Sequence, residues 1–250
     1  MGIIFSILKF KVETVVIWKI FVSVYKLYIS TNEKFNRHMK MTILIALIVF
    51  NINCYGQKSI VPNGFKILVE KLGDLDKDGI SEKVIVYNTT DTTEAGIVRE
   101  LQILKQSKGN WIMWKKSRNA ILKSEEGGMM GNPFEDIEID KGILIISFSG
   151  GSSWKWFYKD KYKFKNTEFE MIGYSNIYGK PCEYWTDVDF NLSTGKIIFK
   201  KEFEDCEKNQ EVYKKENEIF YRKNILINLN NRNLKEIKII SPRYKHQLYL

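Results

Sequence analysis

The stretch DVDFNLSTGKIIF, residues 187–199, decides the fold because it encodes two strands and the turn that joins them. Val188, Phe190 and Leu192 alternate with polar residues, which is the period of a strand with one buried face. The residues STGK at positions 193–196 supply the turn, and an apolar run follows them. The stretch therefore predicts an antiparallel hairpin.

The same alternation recurs on both sides of this hairpin, and turn residues separate its segments. Because no long amphipathic pattern interrupts them, the sequence predicts a mostly β fold, an antiparallel meander that forms a sandwich or an open barrel. The predicted strands are Phe65–Val69, Lys83–Tyr87, Glu100–Lys105, Trp111–Lys115, Asp136–Ile139, Ile143–Phe148, Trp154–Phe164, Phe169–Gly173, Val188–Leu192, Ile197–Phe203, Ile225–Leu229 and Lys235–Ile240.

Three segments differ from this simple alternation. Ile143–Phe148 is apolar on both faces, which predicts a central strand. Residues 121–135 contain two Gly-rich turns, which predict a loop. Residues 207–218, EKNQEVYKKENE, are strongly charged, and we expect them to form an exposed linker or loop.

Cys182 and Cys206 flank the hairpin. A hairpin brings its two ends together, which is the geometry that a disulfide requires. An even pair of cysteines in an exported chain is a candidate disulfide, and the alternative is two unpaired thiols. The prediction of a bridge therefore depends on export.

The segment 39–56 has the order of a secretory signal peptide. A basic start at Lys40 precedes an uncharged apolar run, and the small residues Cys54 and Gly56 stand at positions −3 and −1 before Gln57. The run is shorter than the roughly 20 apolar residues of a membrane span. We expect cleavage before Gln57, an exported domain over residues 57–250, and a periplasmic, outer-membrane-associated or secreted location. The alternatives are an uncleaved anchor and a lipidated Cys54.

Residues 1–38 precede the natural start of a signal peptide at Met39 or Met41. Their apolar stretch Val12–Ser30 is interrupted by Glu13, Lys19 and Lys26, and each charge at a helix centre costs about 2.5–3.5 kcal/mol on insertion. We interpret residues 1–38 as an upstream extension of the reading frame, with a basic helix on a membrane surface as the alternative. Membrane contact is then expected only through an uncleaved leader.

The net charge of +9 does not indicate a nucleic-acid-binding protein. Residues 1–56 contain 7 Lys/Arg and 2 Asp/Glu, which leaves 32 and 28 for residues 57–250. An ordinary solvated surface accounts for this small excess, and a nucleic-acid partner is not expected. The chain has 2 histidines, which excludes most chemistry that depends on several of them.

The segment GDLDKDGISEKVIV, residues 73–86, contains the residues best suited to bind a metal. Asp74, Asp76 and Asp78 occupy alternate positions, Gly79 permits a sharp turn, and the Ile80 carbonyl and Glu82 complete an all-oxygen set at alternate positions. The twelfth position, which holds an acid in an EF-hand, is apolar here and lies in a strand. The segment predicts a short calcium-binding loop, and the alternative is an acidic turn whose side chains cap their own backbone.

This segment resembles the calcium loop of FG-GAP and VCBS-type repeats, in which Asp-x-Asp-x-Asp-Gly is followed by an acid and an apolar strand. The resemblance covers about fourteen residues, and propellers repeat the motif whereas this chain has one copy. The chain also resembles uncharacterised exported bacterial proteins that combine such a loop with a Ser-Gly-Gly-Ser-x-Trp-x-Trp segment and a Leu-x-Thr-Gly-Lys hairpin, here Ser149–Trp156 and Leu192–Lys196. The resemblance implies an envelope protein and no particular activity.

Trp154, Trp156 and Tyr158 lie on one face if residues 154–158 form a strand. Exposed, this row could stack on sugar rings or on a partner chain; buried, it fills a core. Paired carboxylates for glycosidase chemistry are available at Asp136, Glu138, Asp187 and Asp189, although solvent-facing positions explain them equally well.

The sequence therefore favours a non-catalytic structural or interaction module with one structural calcium loop. Its expected partner is an envelope protein or a glycan. The alternative is a carbohydrate-binding or carbohydrate-active envelope protein that uses the Trp154, Trp156 and Tyr158 face.

Overall fold

The structure, a computed structural model, describes residues 61–208, 211–233 and 236–250. The predictions for residues 1–38, for the signal peptide at 39–56 and for cleavage before Gln57 lie outside the described residues. Within the described ranges no helix is long and apolar enough to cross a membrane.

The described residues form antiparallel strands, with two short 3₁₀ turns at Gly128–Met130 and Cys206–Lys208. The strands are β1 (Lys66–Gly73), β2 (Glu82–Thr93), β3 (Gly96–Ser107), β4 (Asn110–Ser117), β5 (Phe134–Asp140), β6 (Ile143–Gly151), β7 (Lys155–Lys165), β8 (Glu168–Lys180), β9 (Tyr184–Asn191), β10 (Lys196–Asp205), β11 (Glu211–Tyr221), β12 (Lys238–Ile240) and β13 (Gln247–Tyr249).

These strands form three antiparallel sheets. The first has four strands in the order β1-β2-β3-β4, the second has seven in the order β11-β10-β9-β8-β7-β6-β5, and β12 pairs with β13. Within each sheet, strands that are consecutive in sequence are therefore hydrogen-bonded neighbours, as the predicted meander requires. The described strands do not close into a barrel. The two large sheets share one core, so the fold is mostly β and sandwich-like.

The hairpin predicted from residues 187–199 is the β9–β10 pair. Asn191 lies opposite Lys196, and Gly195 takes a positive φ of 78° in the turn between them. Val188 and Phe190 are buried while Asp187 and Asp189 are exposed, so the alternation determines which face of the strand is buried.

The main core lies between the inner faces of the two large sheets. The four-stranded sheet contributes apolar side chains from β2 and β3, and the seven-stranded sheet contributes them from β5 to β11. Ile143–Phe148 lies within β6, between β5 and β7, so it is inside the sheet as predicted. The C-terminal β12–β13 hairpin adds Ile239 and Leu248 to the same core.

The predicted loop at residues 121–135 is present, and it ends where β5 begins at Phe134. The buried Arg99 guanidinium holds it by donating to the Leu122 carbonyl (3.2 Å) and to Asn132 Oδ1 (2.7 Å). A long loop at the surface is thus fixed by a cation from β3.

Two predictions of local structure were wrong. Residues 207–218 were expected to be a linker, but Glu211–Tyr221 forms β11, the edge strand that pairs with β10. Ile225–Leu229 was expected to be a strand, but it makes a single bridge from Asn228 to Glu170. The segment 225–232 instead connects the two sheets, because the Leu229 carbonyl accepts a bond from Ser117 of β4 and the Leu229 N–H donates to Phe169 of β8.

Candidate functional site

The acidic loop lies between β1 and β2, and its three aspartates converge. One carboxylate oxygen from each of Asp74, Asp76 and Asp78 lies within 4.8 Å of the others. Asp74 curls the chain by accepting the Lys77 N–H (2.6 Å) and the Gly79 N–H (3.0 Å). Positive φ angles at these two residues, 66° and 87°, produce the sharp turn. The alternate spacing in the sequence thus places the carboxylates around one point.

Glu82 begins β2 and points into the protein rather than into solvent. Its side chain is buried and accepts the Leu75 N–H at 2.7 Å. Burial raises the pKa of the Glu82 carboxyl; the bond from Leu75 opposes that rise, and the charge of Asp76 adds to it. A cation near Glu82 would therefore stabilise its ionised form. The Ile80 N–H donates to Asp78 (2.8 Å) and its side chain is exposed, while the carbonyl ligand remains a prediction.

No pattern in the sequence indicates that Lys105 belongs to this site. Lys105 extends from β3, pairs with Asp76 and lies 3.9 Å from Glu82 Oε1. Its ammonium also lies 4.0 Å from the centre of the Trp114 ring. Burial lowers the pKa of Lys105, but the hydrogen bond and charge of Asp76 outweigh burial and raise it. Lys105 is thus a tethered cation that neutralises part of the acidic loop.

The carboxylates are chemically suited to a hard cation, because calcium takes 6–8 oxygen ligands and each carboxylate offers several lone pairs. The backbone bonds to Asp74 and Asp78 use only some of these positions. The donor set therefore fits calcium. Lys105 would have to move away from Asp76 if that carboxylate became a ligand.

The aromatic residues near β7 divide into two groups. Trp156 and Tyr158 share the inner face of β7, with ring centroids 5.6 Å apart, and both pack against the main core. Trp154 precedes the strand; it stacks on Tyr178 at 5.4 Å and contacts Tyr184 at 4.9 Å. The residues singled out as one row therefore do not form one continuous exposed surface.

The carboxylates considered for glycosidase chemistry are Asp136 and Glu138 on β5 and Asp187 and Asp189 on β9. All four are exposed, and Asp136 and Asp187 pair with lysines at 3.0 and 3.8 Å. Three strands separate β5 from β9 in the sheet, so the two pairs do not meet. Ordinary solvation explains their positions.

Cys182 and Cys206 are joined, as predicted, with their Cα atoms 4.9 Å apart. Cys182 lies in the turn before β9, and Cys206 directly follows β10. The bridge therefore joins the two open ends of the β9–β10 hairpin.

Fold and site together define an antiparallel, sandwich-like β domain with a disulfide and an acidic loop. Comparison with family models, with curated proteins and with solved structures found no match.

Proposed function

We propose that the chain is an exported, non-catalytic domain of the cell envelope, in which the acidic loop binds calcium and stabilises the start of β2. The observation that carries the metal assignment is the convergence of Asp74, Asp76 and Asp78 within 4.8 Å. The disulfide supports export, because such bridges persist mainly in oxidising compartments.

The proposed role of calcium is structural because the ligands come from one short segment of the chain. Calcium would neutralise the repelling carboxylates and hold Glu82 at the first position of β2. At about 2 mM free calcium and a dissociation constant of about 0.2 mM, binding stabilises the folded state by roughly 1.4 kcal/mol. For a domain of this size that is a few degrees in melting temperature.

We expect the protein to melt at a higher temperature in about 2 mM calcium than in EGTA, by roughly 3–6 °C. Asp78→Asn should abolish most of this difference, because it removes an exposed ligand and leaves the pair between Lys105 and Asp76 intact. Asp189→Asn, an equivalent change on the outer face of β9, should keep the full difference. Identical melting of the wild type in calcium and EGTA would contradict the proposal.

Lys105 permits a second test, because it competes with calcium for Asp76. Lys105→Met removes the tethered ammonium and keeps much of the apolar contact with Trp114. We expect this variant to melt lower than the wild type in EGTA and to gain more than the wild type from calcium. Lys116→Met, a change at an exposed position on β4, should alter neither the melting temperature in EGTA nor its increase in calcium. A Lys105→Met variant with no calcium response would show that the loop is an acidic turn that lysine alone neutralises.

A further inference from the structure

A cleft of about 480 Å³ lies between the inner face of β8–β10 and the C-terminal β12–β13 hairpin. This volume falls within the range of about 300–1,000 Å³ that is typical of small-molecule sites. Its open part is lined by phenol rings, an amide, a hydroxyl and one ammonium. The residues of β8 to β10 that carry these groups are Asn176, Tyr178, Tyr184, Thr186 and Lys201.

Lys201 is the charged group of the cleft, and the protein leaves its charge without a direct carboxylate. Its ammonium lies 3.6 Å from the centre of the Tyr184 ring and 4.7 Å from that of Phe203. Glu216 lies opposite Lys201 in the β10–β11 register, but its carboxylate bonds to Lys214 and to His246, each at 2.6 Å. Within the part of the chain that the structure describes, Lys201 makes no ion pair. A ligand anion would supply the missing partner.

Two further lysines lie over aromatic rings next to the cleft. Lys180 lies 5.8 Å from the centre of the Trp154 ring, and Lys214 lies 4.7 Å from that of Phe203. Each of these two lysines also pairs with a glutamate, at 3.4 and 2.6 Å, so Lys201 contributes the uncompensated charge. Burial lowers the pKa of Lys201, and an anion bound beside the ammonium would raise this pKa again.

The neutral groups around Lys201 suit a ligand with many hydroxyls. Asn176 donates its amide N–H to the Tyr174 hydroxyl (3.0 Å). Among the described residues, the Asn176 carbonyl oxygen makes no side-chain hydrogen bond. One acceptor thus remains next to half-exposed aromatic rings, which present apolar faces for stacking.

We propose that this cleft binds a saccharide that carries a carboxylate or a phosphate. Lys201 binds the anionic group, the rings of Tyr178 and Tyr184 contact the apolar face of the sugar, and the Asn176 carbonyl accepts from one of its hydroxyls. The site lies apart from the acidic loop and goes beyond its structural role.

The test is isothermal titration calorimetry on the full chain in EGTA, with trigalacturonate, glucose 6-phosphate, maltotriose and dodecanoate as probes. We expect one or both of the anionic sugars to bind. Which of them binds shows whether the site prefers a carboxylate or a phosphate. Maltotriose, which is neutral, should bind at least ten times more weakly. Lys201→Met should weaken binding roughly 10–100-fold, the range for a hydrogen bond to a charged group. Lys200→Met removes the same charge from the opposite face of β10 and should leave the affinity unchanged.

Lys201→Met should lower the melting temperature only slightly, because it removes contacts with the Tyr184 and Phe203 rings but no ion pair. If it does unfold the protein, Asn176→Leu, which removes the unused carbonyl acceptor, serves instead, with an expected loss of roughly 2–10-fold. Equal affinity for maltotriose, binding of dodecanoate alone, binding of no probe, or an unchanged affinity in the variants would each overturn the proposal.

Discussion

Arg232→Met should destabilise the domain by about 3–5 kcal/mol, the range for removing one partner of a buried ion pair. Its guanidinium donates to Asp160 at 2.7 and 3.4 Å, and both side chains are almost fully buried. It also lies 5.6 and 5.8 Å from the ring centres of Tyr158 and Tyr174. The substitution leaves the Asp160 carboxylate among these rings without a cation. We expect a fall in melting temperature of roughly 6–20 °C.

The position of Arg232 explains why the loss should spread beyond one contact. Arg232 ends the segment 225–232, which connects β4 to β8 through the backbone of Leu229. Asp160 lies on the inner face of β7, so the ion pair attaches this connecting segment to the seven-stranded sheet. Without the pair, we expect the connection between the sheets to loosen.

The effect should depend on pH in a defined direction. Burial raises the pKa of Asp160, and in the wild type the Arg232 guanidinium opposes that rise. In Arg232→Met this opposition is lost, so the folded pKa of Asp160 rises further above its unfolded value. Stability then falls as the pH increases from the unfolded pKa to the folded pKa. The difference in the free energy of unfolding between the variant and the wild type should therefore be smaller at pH 5 than at pH 8.

Urea unfolding at both pH values measures this prediction. Arg222→Met, which removes an exposed arginine just after β11, should cost less than about 0.5 kcal/mol. The double variant Asp160→Leu/Arg232→Met should regain much of the stability, because replacing both partners by apolar side chains avoids the buried charge. A loss below about 1 kcal/mol for Arg232→Met would contradict this view of the pair.

The sequence predicted the parts of the fold that depend on local pattern. The β9–β10 hairpin followed from alternation and from a turn around Gly195, and both are properties of adjacent residues. The convergence of three aspartates also followed from spacing alone, because the loop closes within a few residues. In each case the interacting groups are close in sequence, so the chain between them has few alternatives.

The errors have the opposite cause. Glu216 and Glu218 of β11 point inward, where they meet the C-terminal segment: Glu216 bonds to His246, and Glu218 accepts the Arg243 N–H at 2.7 Å. Because β11 has charged residues on both faces, it lacks the alternation of apolar and polar residues that predicts a strand. The partners of Glu216 and Glu218 lie 30 and 25 residues away. The charged sequence of this segment therefore predicts a linker although the segment forms a strand.

The same reason explains the long-range contacts that the sequence did not indicate. Lys105 reaches Asp76 from 29 positions away, and Arg232 reaches Asp160 from 72. The cleft beside Lys201 requires the C-terminal hairpin to fold back over β8–β10. Such pairs depend on how the sheets pack, and single-residue patterns contain little of that information.

Removing the Cys182–Cys206 bridge should destabilise the domain by about 3 kcal/mol in the chain-entropy model. The bridge closes a loop with a sequence separation of 24, so the unfolded chain gains freedom when the bridge is absent. We expect Cys182→Ser/Cys206→Ser, produced by periplasmic expression, to melt roughly 6–12 °C below the oxidised wild type. Reduction of the wild type should give the same shift, and non-reducing mass spectrometry should show the two cysteine peptides linked only before reduction.

A second double variant separates the cross-link from local backbone strain. Cys182 has a positive φ of 70°, which glycine adopts at no steric cost. Cys182→Gly/Cys206→Ser should therefore be more stable than the double-serine variant by a fraction of the total loss, while remaining clearly below the wild type. The bridge also holds Tyr184, two residues after Cys182, near Phe203, three residues before Cys206, with ring centroids 6.0 Å apart. If the bridge only restricts the unfolded chain, both variants should have the same affinity as the wild type for the anionic sugar that we propose as the ligand of the cleft. A weaker affinity in the variants would show that the bridge also positions these rings beside Lys201.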